Sequence, residues 1–333
     1  MRRPSQADTA TAPTASTASA ASAASSAPRT PDCPLDDSPC FADRGEDASL
    51  SLLLRGLTRN ERLLVGPGDD CAVTRGDEDY DLLLKTDVVI EGVHFTRDTP
   101  PELIGRKALA RTLSDIAAMG GLPDHALITL LVHPKRRIED AERLYRGMAE
   151  LASQYGVSMA GGETSSLPED GLIVNIALTG RVERGQAVLR SGGRPGDHIC
   201  VSGRLGGSFA SGHHLTFTPR IELARYLISH GLRPGAMMDL SDGLGTDLPR
   251  LAAASGCGYA LCESDIPCNP GVSTAEAISE GEDYELLLTL TDEQMPLLHT
   301  LPLPVPVTPI GRLTTSGVTP LTSGWQHFRN SSR

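Results

Sequence analysis

PELIGRKALARTLSDIAAMG, residues 101–120, is the stretch on which the reading of the fold turns. A proline near its start suits a first helical turn, Leu109, Leu113 and Ile116 fall on one stripe, and Gly120 supplies a stop, so the spacing predicts a helix. Before it, DLLLKTDVVI (81–90) is a β-branched, mostly apolar run of strand length, and after it ALITLLV (126–132) is another. RRIEDAERLYRGMAELASQYG (136–156) follows as a second amphipathic helix stopped by Gly156. The strand VSMA then leads into GGET (161–164), and GLIVNIALTGRV (171–182) completes a first unit. Beyond the Gly-rich RSGGRPGD (190–197) comes a second series: strand HICVSG, helix IELARYLIS, strand AMMDLS, helix DLPRLAAAS, and strands YALCES and YELLLTL. The expected fold class is α/β (α+β), with two α/β domains, 45–182 and 183–333, meeting near Val182. ASLSLLLRGL (48–57) reads as a short opening helix. LPLPVPVTP (301–309) holds too many prolines for a central strand and reads as an edge or an extended connector.

At 333 residues the chain buries a sizeable core without staples. Its 30 Lys and Arg against 42 Asp and Glu give a net charge of −12, which argues against a nucleic-acid-binding protein. An anionic ligand here needs metal ions or local arginines. Seven cysteines (33, 40, 71, 200, 257, 262, 268) lie scattered, with no CxxC pair, and read as reduced thiols of a cytoplasmic protein. Cys257, Cys262 and Cys268 read as small buried hydrophobes. From Thr9 to Ala27 every residue except Pro13 is Ala, Ser or Thr, so residues 1–44 read as a disordered tail. Polar hydroxyls break every run that a secretory signal would need, whereas an organellar transit peptide fits the composition. No apolar stretch approaches the roughly 18 residues that span a bilayer, so no membrane partner is expected.

Acids recur beside glycines where strands give way to loops or helices: GDD (68–70), KTD (85–87), LSD (113–115), GGET (161–164), MDLSDG (238–243) and GEDYE (281–285). Hard oxygen ligands delivered from several loops suit Mg²⁺, which bridges carboxylates to substrate phosphates, and neighbouring glycines let backbone N–H groups approach an anion. Each piece has a plainer reading. Asp115, four residues after Arg111, reads alone as half of a surface ion pair. Asp242 before Gly243 reads as an N-cap, although an extended MDLSDG puts Asp239 and Ser241 on one side. His94 reads as a structural histidine, Arg190 as a loop cation or a phosphate contact, and His213 and His214 as loop residues. The chain has no GxxxxGK[ST], no GxGxxG after a strand, no kinase HRD or DFG set, no HExxH and no GxSxG.

In combination and in order, GPGDDCAV (66–73), KTDVVIEGVHF (85–95), KALARTLSDIAAMGG (107–121), GGET, LRSGGRPGDHICVSG (189–203), MMDLSDGLGTDL (237–248) and GEDYELL (281–287) resemble the thiamine-monophosphate kinases. The resemblance runs from about Gly45 to Phe328. It implies the fold of the aminoimidazole ribonucleotide synthetase superfamily and a homodimer formed through the N-terminal domains. The implied reaction is ATP-dependent, Mg²⁺-assisted, in-line phosphorylation of thiamine monophosphate to thiamine diphosphate, the last step in making that coenzyme. Position by position, it implies metal contacts at Asp70, Lys85, Thr86, Asp87, Asp115, Glu163, Asp239 and Asp242. It implies ATP contacts at Gly162, Glu163, Arg190 and Ser241, and substrate contacts at His94, Glu282 and Trp325. Asp70 is favoured over Asp69 as the ligand, leaving Asp69 to orient the loop. Lys85, Glu163 and Glu280 depart from the family's usual residues. Alternatives are another ATP-using enzyme of the superfamily, or a non-catalytic nucleotide or metal sensor. No general base is expected, because a phosphate monoester with a second pKa near ~6 is already largely deprotonated at neutral pH.

Overall fold

A computed structural model of the chain describes residues 39–328. Of the tail expected over residues 1–44, residues 1–38, with Cys33, lie outside the described residues. The last residues of the expected tail are not disordered: Phe41–Arg44 (α1) is helical, as is Glu46–Leu53 (α2) beyond it, and the Phe41 ring rests against Phe328 with centroids 5.0 Å apart. Apolar contact with the far end of the chain draws these residues into the fold.

The first sheet comprises β1 (Leu63–Val65), β2 (Ala72–Arg75), β3 (Tyr80–Ile90), β4 (Leu122–Val132), β5 (Ser158–Ser166) and β6 (Leu172–Glu183), in the order β1-β2-β3-β6-β4-β5. Among the described residues only β4 and β5 of this sheet run parallel. Strand alternation sends Val174, Ile176 and Leu178 of β6 inward, against Pro101–Ala118 (α3) and the neighbouring Ile138–Tyr155 (α4). The opposite face stays open, leaving Leu84 42% and Leu127 49% exposed. α3 and α4 cross closely because glycines sit at the contact: a Cβ on Gly105 would fall 2.0 Å from the Leu144 carbonyl oxygen, and one on Gly147 2.0 Å from that of Glu102.

The second sheet is wholly antiparallel: β7 (His198–Ser202), β8 (Met237–Asp239), β9 (Gly258–Leu261), β10 (Leu286–Leu290) and β11 (Val307–Thr314), in the order β8-β10-β7-β11-β9. Its helices are α5 (Ser208–Ser211), α6 (His213–Thr216), α7 (Ile221–Ser229), α8 (Leu244–Ala254), α9 (Thr274–Ser279) and α10 (Met295–Thr300). Every residue of β10 is buried, and alternation divides them: Leu286, Leu288 and Leu290 join the core shared with α3, whereas Leu287 joins a second core with Leu244 and Leu248 of α8.

Three expectations change. GGET does not follow a strand as a loop but lies within β5. Val307–Thr314 is an inner strand between β7 and β9, despite Pro309. The missing proline N–H is accommodated because the register with β7 slips between Pro309 and Gly311. His213 and His214 lie on α6, and His214 is buried. Among the described cysteines, Cys71 and Cys200 are buried, but Cys262 is exposed and is not the buried hydrophobe expected. No described helix is long and apolar enough to cross a membrane.

Candidate active site

α3 is buried around most of its circumference, packed against β3, β6 and α4 on one side and against α6, α7 and β8 on the other. Its polar residues therefore meet partners from both sheets. Asp115 from α3, Asp70 from the loop before β2 and Asp239 from the end of β8 are each at most 5% exposed, and one carboxylate oxygen from each lies within 4.8 Å of the others. Three like charges this close are held by cations and hydroxyls around them. Arg190 Nη2 donates to Asp70 Oδ1 at 2.6 Å, Lys85 Nζ to Asp115 Oδ1 at 2.7 Å, and Ser114 Oγ to Asp239 Oδ2 at 2.6 Å. Burial first, and then the Asp70 charge, push the Asp239 carboxyl up from 3.8 to about 6. Burial works against the Lys85 ammonium, but Asp115 and Asp87 outweigh it and its pKa stands above the ordinary range.

Asp69 leaves the cluster to its neighbour. Its Oδ1 accepts the Asp70 N–H at 3.2 Å and the Arg190 N–H at 3.1 Å, tying the GDD loop to the connection between the sheets. Burial and Asp70 raise its carboxyl to about 6. Asp87 and Asp242 line the same cleft, of about 590 Å³, but are held by arginines: Arg111 Nε lies 3.1 Å from Asp87 Oδ2, and Arg250 Nη1 2.5 Å from Asp242 Oδ2. Arg111 thus pairs across to β3 and not with Asp115 on its own helix. The expected N-cap role of Asp242 is not found, because Gly243 takes that position and the Asp242 N–H itself donates to Asp247 Oδ2 at 3.0 Å. Ser241 also lines the cleft.

Two other expected metal contacts do not join the cluster. Thr86 faces the open side of β3, opposite Lys85 and Asp87, and its Oγ1 donates to Asn175 Oδ1 at 3.1 Å. Glu163 is exposed on β5, accepting from Ser165 Oγ at 3.3 Å. Gly162 beside it has φ +153°, and a Cβ there would lie 1.7 Å from the Ile128 carbonyl oxygen, so glycine is required for pairing β5 with β4.

A second cavity of about 720 Å³ adjoins the cleft, sharing Glu46, Leu50, Asp87, Arg111 and His327 with it, and is walled by His94, Trp325, Phe41 and Phe328. The Ile90 N–H donates to His94 Nδ1 at 3.1 Å, which places the neutral ring's proton on Nε2. Glu282 is not on this wall. It lies buried beneath it, where Lys107, wholly enclosed, holds Glu282 Oε1 at 2.8 Å and the His94 carbonyl at 2.6 Å. Glu282 and Tyr284 have φ +66° and +52°, a conformation costly for non-glycine residues, and their N–H groups donate to Ser241 and Leu240 carbonyls. The Trp325 N–H reaches the Asp242 carbonyl at 2.9 Å and brings the C-terminal segment over the start of α8.

Sequence reasoning missed Lys107, Arg111, Ser114, Arg250 and Glu46. The first three were visible as polar residues on a helix that also carries an apolar stripe. Glu46 had no such signal, yet its Oε2 is buried without a hydrogen-bond partner among the described residues, as are Asp70 Oδ2 and Arg190 Nε.

Residues 68–182 match the family described as AIR synthase related protein, N-terminal domain. The thiamine-monophosphate kinase of Rhodopirellula baltica is 36% identical over 287 residues, covering 80% of this chain and 89% of the relative. That of Bacillus subtilis is 33% identical over 277 residues, covering 74% and 84% respectively. Among solved structures, AaThiL complexed with AMPPCP and TMP superposes with a TM-score of 0.77 at 30% identity, over 88% of this chain and 100% of that chain.

Proposed function

We infer the activity from one premise: the chain belongs to the thiamine-monophosphate kinase family. It transfers a phosphoryl group from ATP to thiamine monophosphate, giving thiamine diphosphate, the last step in making that coenzyme. The observation that carries this reading is the buried set Asp70, Asp115 and Asp239, whose oxygens lie within 4.8 Å of one another beside Arg190, in a cleft that opens into an aromatic cavity.

The residues fit Mg²⁺. The donors are carboxylate oxygens, and Asp70 Oδ2 is buried with no hydrogen-bond partner among the described residues, which is costly unless a cation meets it. Asp70 and Asp239 would hold ions directly, with Asp115 converging on them and Asp87 and Asp242 at the cleft wall. Mg²⁺ bound there supplies charge neutralisation on the phosphate oxygens.

The chain's own groups bind and orient. Arg190 commits Nη2 to Asp70 and lines the cleft beside Ser241, where its charge suits the phosphates of ATP. His94 lines the thiamine end, and Trp325, Phe41 and Phe328 offer aromatic surface to its planar rings. Glu46, one of whose oxygens is buried with no hydrogen-bond partner among the described residues, stands where the two cavities meet and suits the cationic ring of thiamine. Catalysis then reduces to holding two anions in line, with no side chain needed to remove a proton. The open face of the first sheet, with Leu84 and Leu127 exposed, supports a homodimer formed through residues 45–182. Incubation of the purified protein with ATP, Mg²⁺ and thiamine monophosphate yields thiamine diphosphate, separated by chromatography. Absence of that product under those conditions refutes the reading.

A further inference from the structure

Phosphoryl transfer accounts for the carboxylates of the cleft but not for the lysine among them. Lys85 lies on the face of β3 that carries Leu83 and Asp87, so strand alternation points it toward α3 and into the cluster. Its Nζ donates to Asp115 Oδ1 at 2.7 Å, and its side chain is only 22% exposed. Asp115 is one of the three acids whose oxygens converge within 4.8 Å. An ammonium is a compact point charge with three donors, close in function to a small cation. Mg²⁺ binds carboxylate oxygen at roughly 2.0–2.1 Å. An ion on the same oxygen would therefore stand within a few ångströms of Nζ, where like charges repel strongly. Among the described residues Asp70 Oδ2 has no such competitor, and Asp239 has only Oδ2 engaged, by the neutral Ser114 hydroxyl.

We propose that Lys85 is a built-in cation of the acidic cluster. Its ammonium takes the position a divalent ion would otherwise fill at Asp115, so the cluster binds one ion fewer than its carboxylates alone allow, and metal enters on the side of Asp70 and Asp239. The same charge keeps the three acids together before metal or nucleotide arrives. Lys85 is thus a positioning residue, in a proposal that rests on the metal-binding part of the function inferred above.

The test uses the full chain without nucleotide or thiamine monophosphate, so a failed kinase assay leaves it untouched. Mn²⁺ is titrated and free Mn²⁺ followed by electron paramagnetic resonance, for the parent protein and for Lys85→Met, Lys85→Gln and Lys85→Arg. Lys85→Met and Lys85→Gln are expected to bind one additional Mn²⁺ per chain at the cluster, or to bind Mn²⁺ there at least about tenfold more tightly, as removing a nearby unit charge requires. Lys85→Arg, which keeps the charge, is expected to match the parent count. In thermal unfolding the two uncharged variants melt earlier than the parent in chelator, and millimolar Mg²⁺ closes the difference. Equal Mn²⁺ counts and affinities in all four proteins overturn the proposal. So does a stability deficit of the same size with and without metal, which marks an ordinary ion pair.

Discussion

Replacing Asp239 by Asn separates repulsion from ligation. In the metal-free protein this carboxyl is 3% exposed and raised from 3.8 to about 6, by burial first and then by Asp70. A raised carboxyl is one whose ionisation the folded state opposes, at roughly 1.4 kcal/mol per pKa unit. The cost is present above about pH 6, fades as pH falls toward 3.8, and is absent below, where the group is protonated folded or unfolded. Its full size is about 3 kcal/mol. Asn keeps an oxygen to accept from Ser114 Oγ and changes volume little, so packing is retained. Asp239→Asn is therefore expected to gain up to ~3 kcal/mol in urea unfolding at pH 8 in chelator, with the gain shrinking at pH 5. With saturating Mg²⁺ the order reverses, because the parent gains a ligand the variant lacks, and turnover falls by roughly 100-fold or more. A variant that unfolds more readily than the parent in chelator at pH 8 would show Asp239 to be a structural acid. A gain that does not shrink on acidification would show that repulsion is not its source.

Lys107→Met removes the enclosed ammonium between Glu282 and the His94 carbonyl and is expected to cost about 3–5 kcal/mol, whereas Lys107→Met combined with Glu282→Gln costs less than the two single changes summed. Additive losses in a urea double-mutant cycle would show that the pair is not coupled. Glu46→Gln keeps size but removes the negative charge offered to thiamine, and is expected to raise the Kd for thiamine monophosphate about tenfold by calorimetry while leaving the Kd for ATP within about twofold. Equal weakening of both ligands would remove Glu46 from the thiamine end.

Much of the first sheet was legible because each element announces itself locally. The β-branched run 81–90 became β3 with one residue added, and Gly156 ends α4 in the left-handed conformation, at φ +67°. The convergence of Asp70, Asp115 and Asp239 was legible only through the motif order, since spacing alone places none of them near another. What could not be read was pairing across elements. Arg111 and Asp115 satisfy the helical i, i+4 rule, but β3 runs alongside α3 and offers each a stronger opposite charge, so Arg111 takes Asp87 and Asp115 takes Lys85. Thr86 illustrates the same limit from the other side, for an adjacent position in a motif is, on a strand, the opposite face.

The helix first read for its apolar stripe carries a polar one as well. Lys107, Arg111, Ser114 and Asp115 stand at i, i+4, i+7 and i+8, one face of α3, and between them they reach three segments: Lys107 meets Glu282 in the loop before β10, Arg111 and Asp115 meet Asp87 and Lys85 on β3, and Ser114 meets Asp239 on β8. Leu109, Leu113 and Ile116 fill the core from the other side. A helix with both stripes buried is stable only if something satisfies the polar one, and here that is done by residues from both sheets that also line the cleft. Fold and site therefore share their constraints. Any change that moves α3 relative to β3 or β8 must break charged contacts inside the cluster, so the cluster's geometry is fixed by the core and not by the glycine-rich loops around it.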